Sequence, residues 1–138
     1  MVEVFDSPVG KINLPANLKA FELFPLPLNR KRENWRGFNQ AELLGNLVAK
    51  RFGLVVSRLL LERKLFEKSQ VKLTLEQRKK NLQGAFLVVD PKKVAGKKIL
   101  LFDDVWTTGA TLTEAGRTLK KAGAEQVWAL CLASSHRV

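Results

Sequence analysis

Only one cysteine, Cys131, and one histidine, His136, occur in the 138 residues. A single thiol excludes an internal disulfide and a cysteine-based zinc cluster. The histidine stands beside the C-terminal end of the sequence, apart from every motif discussed below. No apolar run approaches the length needed to span a bilayer. The opening MVEVFDSPVG lacks the basic-then-apolar pattern of a secretory signal. Internal repeats, low-complexity tracts and long linkers are absent. So are GxxxxGK[ST] and GxGxxG, which removes the P-loop and dinucleotide-binding readings. What remains is the expectation of one cytoplasmic domain with no membrane span, in which 46% apolar residues suffice for a sizeable core.

Acidic residues are scarce too: 13, against 24 Lys and Arg, for a net charge of +11. The excess is uneven. Residues 29–98 hold 18 basic and 6 acidic side chains, so the remainder is close to neutral. That asymmetry suits an anionic partner, either a phosphorylated small molecule or nucleic acid, and equally a plain basic surface.

Patterning gives the elements. AFELFPLPL (20–28) reads as a strand whose prolines belong at its end. NQAELLGNLVAKRFG (39–53) reads as a helix capped by Asn39, with Glu42 in capping-box register and Gly53 as the left-handed stop. Ala41, Leu44, Leu47 and Val48 are its expected buried face. Residues 54–63 read as a strand, 64–73 as a loop, 74–82 as a short basic helix opened by Thr74 and Gln77, and 85–90 as a strand. Pro91 and Gly96 mark a turn before the buried strand 97–102. A helix over 111–123, with Leu112, Ala115, Leu119 and Ala122 on one side, precedes a strand over 126–133. Apolar strands around an amphipathic helix imply parallel pairing in an α/β sheet. Ligands of such sheets bind at the carboxyl ends of strands, where the loop 103–111 falls.

That loop begins with two acids, Asp103 and Asp104, and continues through TTGAT (107–111) into a helix. The carboxylates can accept hydrogen bonds from hydroxyls or face a hydrated divalent cation. Thr107, Thr108 and Thr111 supply hydroxyls, Gly109 a tight turn, and the helix N-terminus with its backbone amides an anion site. Taken singly, these residues read as solvated turn and cap positions. Together they offer acceptors for a diol and donors for a phosphate, the two groups of a sugar phosphate.

ILLFDDVWTTGAT (99–111) resembles the phosphoribosyl-diphosphate motif of type I phosphoribosyltransferases: four apolar residues, two acids, two variable residues, then a T/S-T-G-x-T loop. The order PLPLNRKRENWRGFNQAELL, then LERK, then QRKKNLQGAF, then this motif is similar to the ComF family, with RGFNQAE (36–42) its most distinctive string. The resemblance covers residues 24–134.

It implies a Rossmann-like parallel sheet flanked by helices, the type I phosphoribosyltransferase fold, as a single domain over 1–138. It implies binding of phosphoribosyl diphosphate with Mg2+, and transfer of the phosphoribosyl group to a nitrogenous base with release of pyrophosphate. Asp103 and Asp104 then hold the ribose hydroxyls and face the metal through water, and Thr107, Thr108, Gly109, Ala110 and Thr111 wrap the 5-phosphate. Leu28, Asn29, Arg30 and Lys31, with Arg36 and the neighbouring Arg32, face the pyrophosphate. Residues 63–84 correspond to an active-site loop, in which Lys64, Lys68, Lys72, Arg78 and Lys79 are candidate cations. Gln70, Arg78 and Asn81 match the ComF pattern, and a structural role suits them equally. Trp35, Trp106 and Trp128 read as packing residues, although Trp106 lies inside the ligand loop.

Three departures stand out. Many purine-type members carry an acid where this sequence has Thr107, so no catalytic base is assigned. The cysteine-rich zinc module of ComF proteins is missing, and the segment before the first core strand is short. The family's link to competence and DNA uptake supplies the rival expectation: a non-catalytic module that contacts single-stranded DNA or a competence protein. A homodimer, lending the missing hood, is a further expected partner.

Overall fold

The apolar run at 99–102 lies in the interior of a five-stranded parallel sheet, as its composition demands. The structure, a computed structural model, describes residues 2–5, 14–27, 37–58, 60–64, 83–106 and 109–134, with backbone alone at 2–5 and 134. Strand β1 is Val2–Phe5 and β2 is Phe21–Pro25. Helix α1 (Gln40–Phe52) leads to β3 (Val55–Val56). Then come β4 (Leu61–Arg63), β5 (Phe86–Val88) and β6 (Lys98–Trp106). Helix α2 (Ala110–Lys121) and β7 (Gln126–Ser134) follow. The main sheet runs β1-β7-β6-β2-β3, and β4 and β5 form a separate antiparallel pair.

Alternation along β6 sends its side chains into two cores. Ile99 and Leu101 pack with Leu112, Ala115 and Leu119 of α2, and with Leu61 and Phe86 of the small sheet. Leu100 and Phe102 pack with Phe21 and Leu23 of β2 and with Ala41 and Ala49 of α1. The two helices therefore cover opposite faces. Full burial of a large apolar side chain is worth about 1.5–3 kcal/mol, so these four β6 residues alone fix the strand in the centre. Polar contacts tie β2 to its two neighbours: Glu22 accepts from the Ser57 hydroxyl after β3 and pairs with Lys97 before β6 at 3.2 Å.

Local signals in α1 behave as expected. Asn39 Oδ1 accepts the N–H of Glu42 at 3.3 Å, and Gly53 ends the helix at φ 68°. The buried face is shifted, however. Gly45 and Ala49 are buried beside Ala41, whereas Leu47 is 65% exposed. Small residues face the sheet because α1 packs close: a Cβ on Gly45 would meet Leu23, Phe102 and Pro25 atoms at 3.2 Å each.

Three further differences concern strands. The reading of 54–63 as one strand splits into β3 and β4, which belong to different sheets. The 85–90 strand pairs only with β4. The strand expected to stop at residue 102 runs to Trp106, because β7 continues to pair with it through Ser134. The acids therefore lie within β6, and the connection to α2 is shorter than 103–111. No helix among the described residues is long and apolar enough to cross a membrane.

Candidate functional site

Two chain reversals meet between β2 and β6. From β2 the chain passes through α1 to β3 on one side, and from β6 through α2 to β7 on the other. Between such adjacent strands the helices diverge to opposite faces and leave a crevice at the carboxyl ends, where open α/β sheets bind ligands. On β2 the crevice is bordered by Pro25, Leu26 and Pro27, and the Leu26 N–H still bonds the Phe102 carbonyl at 2.8 Å. Beyond Phe102, β6 outruns β2, so Asp103, Val105 and Trp106 pair with β7 alone. The acids occupy that overrun, at the crevice rim.

Both carboxylates are half-buried and anchored to their own backbone. Asp103 Oδ1 accepts the N–H of Asp104 at 2.8 Å, and Asp104 Oδ1 accepts the N–H of Val105 at 3.0 Å. Burial raises the Asp103 pKa, and the adjoining Asp104 side chain raises it further; the Asp104 N–H and Arg63 oppose them, leaving it at about 7. This is an acid poised to change charge near neutrality. Hard oxygen donors of this kind suit Mg2+, which keeps several waters and binds through few carboxylates. Among the described residues no group of three His, Cys, Asp or Glu forms a closed cage.

The chain then reaches Gly109, buried at φ 75°, which stands at the N-cap of α2. Its N-cap residue, a glycine, has no side chain to cap the helix, and the first turn carries no acid, in contrast to the Asn39 cap and Glu42 of α1. Ala110 and Thr111 form its first, half-buried turn. The positive end of α2 thus stands next to the acids and favours an anion. The space that a Gly109 side chain would enter is filled by the Trp106 indole, which also packs on the α2-side core. Trp128 is a packing residue, edge-on to Phe21 at 6.2 Å.

Of the residues expected at the site, Asp103, Asp104, Gly109, Ala110 and Thr111 come together at the end of β6 and the start of α2. Thr107 and Thr108 lie outside the described residues, as do Leu28, Asn29, Arg30, Lys31, Arg32, Trp35 and Arg36. So do Lys68, Gln70, Lys72, Arg78, Lys79, Asn81, His136 and the helix expected at 74–82. From the distinctive string 36–42, Asn39 has an architectural task. Its Nδ2 donates to the Leu26 carbonyl at 3.2 Å, fastening the start of α1 to the end of β2. Between them opens a cavity of about 340 Å³ lined by Pro25, Pro27, Asn39, Ser57 and Arg58 among others.

Two residues missed by sequence reasoning lie on elements around the crevice, and the first of them acts on an acid of the pair. Arg63, on β4, lies over the Phe86 ring at 5.7 Å and acts electrostatically on Asp103. Glu114, buried in α2, accepts the N–H of Gly84 at 2.9 Å and a two-point fork from Arg117. Burial pushes the Glu114 carboxyl up, but the Arg117 fork and the Gly84 amide outweigh it and leave it below the usual range.

Comparison with known proteins agrees with this geometry. Residues 40–137 match the family described as Phosphoribosyl transferase domain. Competence protein F of Haemophilus influenzae is 35% identical over 114 residues, 80% of this chain and 50% of that protein. Competence protein ComFC of Bacillus subtilis is 36% identical over 107 residues, 76% of this chain and 40% of that protein. DNA utilization protein YhgH of Escherichia coli K12 is 35% identical over 108 residues, 77% and 47% of the two chains. The chain thus spans about half the length of the relatives it matches.

Proposed function

The chain belongs to the phosphoribosyl transferase domain family, in its ComF branch, and on that footing we propose that it binds phosphoribosyl diphosphate as its magnesium complex. The single observation that carries this reading is the continuity of the site. An acid pair at a sheet crevice is followed, within one short connection, by a helix N-terminus that opens on a glycine and carries no acid in its first turn. That continuity supports a reading in which diol acceptors and phosphate donors stand side by side. Asp103 and Asp104 accept from the ribose hydroxyls, and Gly109, Ala110 and Thr111 receive the 5-phosphate on backbone amides and the Thr111 hydroxyl. Arg63 approaches from β4 as a cation for the diphosphate. Mg2+, facing the acids through water, would neutralise charge on the leaving pyrophosphate.

The reaction such a site supports is displacement at ribose carbon 1. The bond from carbon 1 to the diphosphate oxygen breaks, its electron pair leaves with pyrophosphate, and a base nitrogen supplies the pair for the new C–N bond. The nitrogen's proton passes to solvent. The protein's part is positioning, charge stabilisation and exclusion of competing water.

Calorimetry with and without Mg2+ tests the reading. Asp103→Asn combined with Asp104→Asn keeps the shape and removes both charges. Charge-assisted hydrogen bonds are worth about 1.5–3 kcal/mol each, so affinity for the magnesium complex should fall more than tenfold. Inorganic phosphate, held by the neighbouring turn, should bind nearly as before. Folded Asn variants, verified by circular dichroism, that bind the full ligand as tightly as the parent overturn the diol role.

A second reading has its own observation, the concentration of positive charge in residues 29–98. In it the domain serves competence or DNA use, as the names of its relatives suggest, by contacting single-stranded DNA without turnover.

A further inference from the structure

Glu114 is an expensive residue for its place. It is 7% exposed in the middle of α2, flanked on the same helix by buried Leu112, Ala115 and Leu119. A carboxylate there costs desolvation that an apolar side chain avoids, unless its oxygens are fully engaged. They are: Oε1 takes the Gly84 N–H at 2.9 Å and Arg117 Nη2 at 2.7 Å, and Oε2 takes Arg117 Nε at 3.0 Å. Arg117, one turn along, satisfies the charge. The Gly84 bond spans 30 residues of sequence and joins α2 to the turn that enters β5.

That turn determines where β4 lies. The Lys64 N–H bonds the Ala85 carbonyl at 2.7 Å, and Arg63 pairs in register with Phe86, over whose ring its guanidinium sits. Arg63 thus takes its position from β5, and β5 is tied to α2 at Gly84. Helix α2 in turn starts at Gly109, directly after the strand that carries Asp103 and Asp104. One chain of contacts runs from the phosphate turn to the cation opposite the acids.

We propose that Glu114 is a positioning residue for the diphosphate end of the site: by holding the Gly84 amide against α2 it sets the β4–β5 pair so that Arg63 meets the ligand. This rests on the reading that the crevice binds phosphoribosyl diphosphate. Glu114 touches no ligand itself. Its influence is selective for the diphosphate, because the ribose and 5-phosphate contacts lie on β6 and the first turn of α2.

The test compares the magnesium complex of phosphoribosyl diphosphate with ribose 5-phosphate, which lacks the diphosphate. Glu114→Leu removes the acceptor and fills its space; Glu114→Ala serves where the leucine variant does not fold. Either should speed amide exchange at Gly84 and weaken the diphosphate ligand five- to tenfold, leaving ribose 5-phosphate within twofold. Glu114→Gln keeps an acceptor for Gly84 and should stay within about twofold of the parent for both. Arg63→Gln should show the same selective loss, and adding Glu114→Leu to it should cost little more, since both act through one guanidinium. Equal weakening of both ligands, full additivity with Arg63→Gln, or unaltered binding overturns the positioning role alone. A parent protein that binds neither ligand overturns the site reading, and the positioning role with it.

Discussion

Trp106 and Gly109 share one volume: two carbons of the indole ring lie where the first side-chain atom of any other residue at 109 would have to be. Gly109 also holds φ 75°, a conformation that costs other residues about 1–2 kcal/mol. The glycine is therefore required from within the protein, before any ligand arrives. Gly109→Ala should destabilise the fold by about 2–4 kcal/mol, strain and displaced indole combined. In a Trp106→Val background the cost should drop to the conformational part alone. Urea unfolding of the four proteins gives the coupling; additive effects would mean that the ring moves aside freely. Loss of phosphate binding in a Gly109 variant reports on Trp106 as much as on the ligand contact.

The pKa of Asp103 sets the direction of a pH effect. Raised from 3.8 to about 7 by burial and by Asp104, its carboxyl stays protonated in the folded protein at pH values where the unfolded chain has lost the proton. Stability from this group is therefore greatest below pH 4 and falls as pH rises towards 7. Asp103→Asn, which cannot ionise, should melt close to the parent at pH 4 and several degrees above it at pH 8. Affinity for the magnesium complex in the parent should change the opposite way and strengthen through pH 7, as the acceptor gains its charge. A melting difference between variant and parent that is constant from pH 4 to 8 contradicts the assignment.

Local signals were legible in the sequence and distant partners were not. Asn39, Glu42 and Gly53 define α1 because capping is settled within four residues. The run of acids and threonines could be singled out for the same reason, since Asp103 to Thr111 are contiguous. The end of β6 was hidden, because its last four residues are strand only through Cys131, Ala133 and Ser134 on β7. The run 54–63 gave no sign of its division, which depends on β2 pairing with Val55 and β5 pairing with Leu61. Arg63 could not be chosen among the cations, because Phe86, which fixes it, is a remote neighbour. Leu47 was misplaced because periodicity cannot say how closely a helix approaches its sheet.

Gly45 reverses the usual advice for helix interiors. Replacing such a glycine by alanine ordinarily gains about 1 kcal/mol. Here the new methyl would press on Leu23, Phe102 and Pro25 at 3.2 Å, and the first two are fully buried with no room to retreat. Gly45→Ala should destabilise by about 1 kcal/mol and Gly45→Val by more than about 2. Leu47→Ala, on the exposed side of the same helix, should stay within about 0.5 kcal/mol. Chemical denaturation separates the two; a stabilised Gly45→Ala would show that α1 can lift from the sheet.

Salt and competition together decide between the two functional readings. If the positive charge of residues 29–98 binds single-stranded DNA, counterions released from the strand dominate the affinity. Each neutralised phosphate contributes about 0.7 to the slope of log affinity against log salt, so three or more contacts give a slope steeper than about −2. Such binding draws on a basic surface and not on the acid pair. The Asp103→Asn, Asp104→Asn variant should therefore bind DNA at least as well as the parent, having lost two charges that repel phosphate. Phosphoribosyl diphosphate in excess should leave that binding unchanged if the surfaces are separate, and should displace the strand if DNA phosphates enter the turn at Gly109. Fluorescence anisotropy of a labelled oligonucleotide at rising salt, with and without the ligand, distinguishes these results. A salt-insensitive complex, or no complex at low salt, removes the nucleic-acid reading and leaves the sugar-phosphate site as the function of the domain.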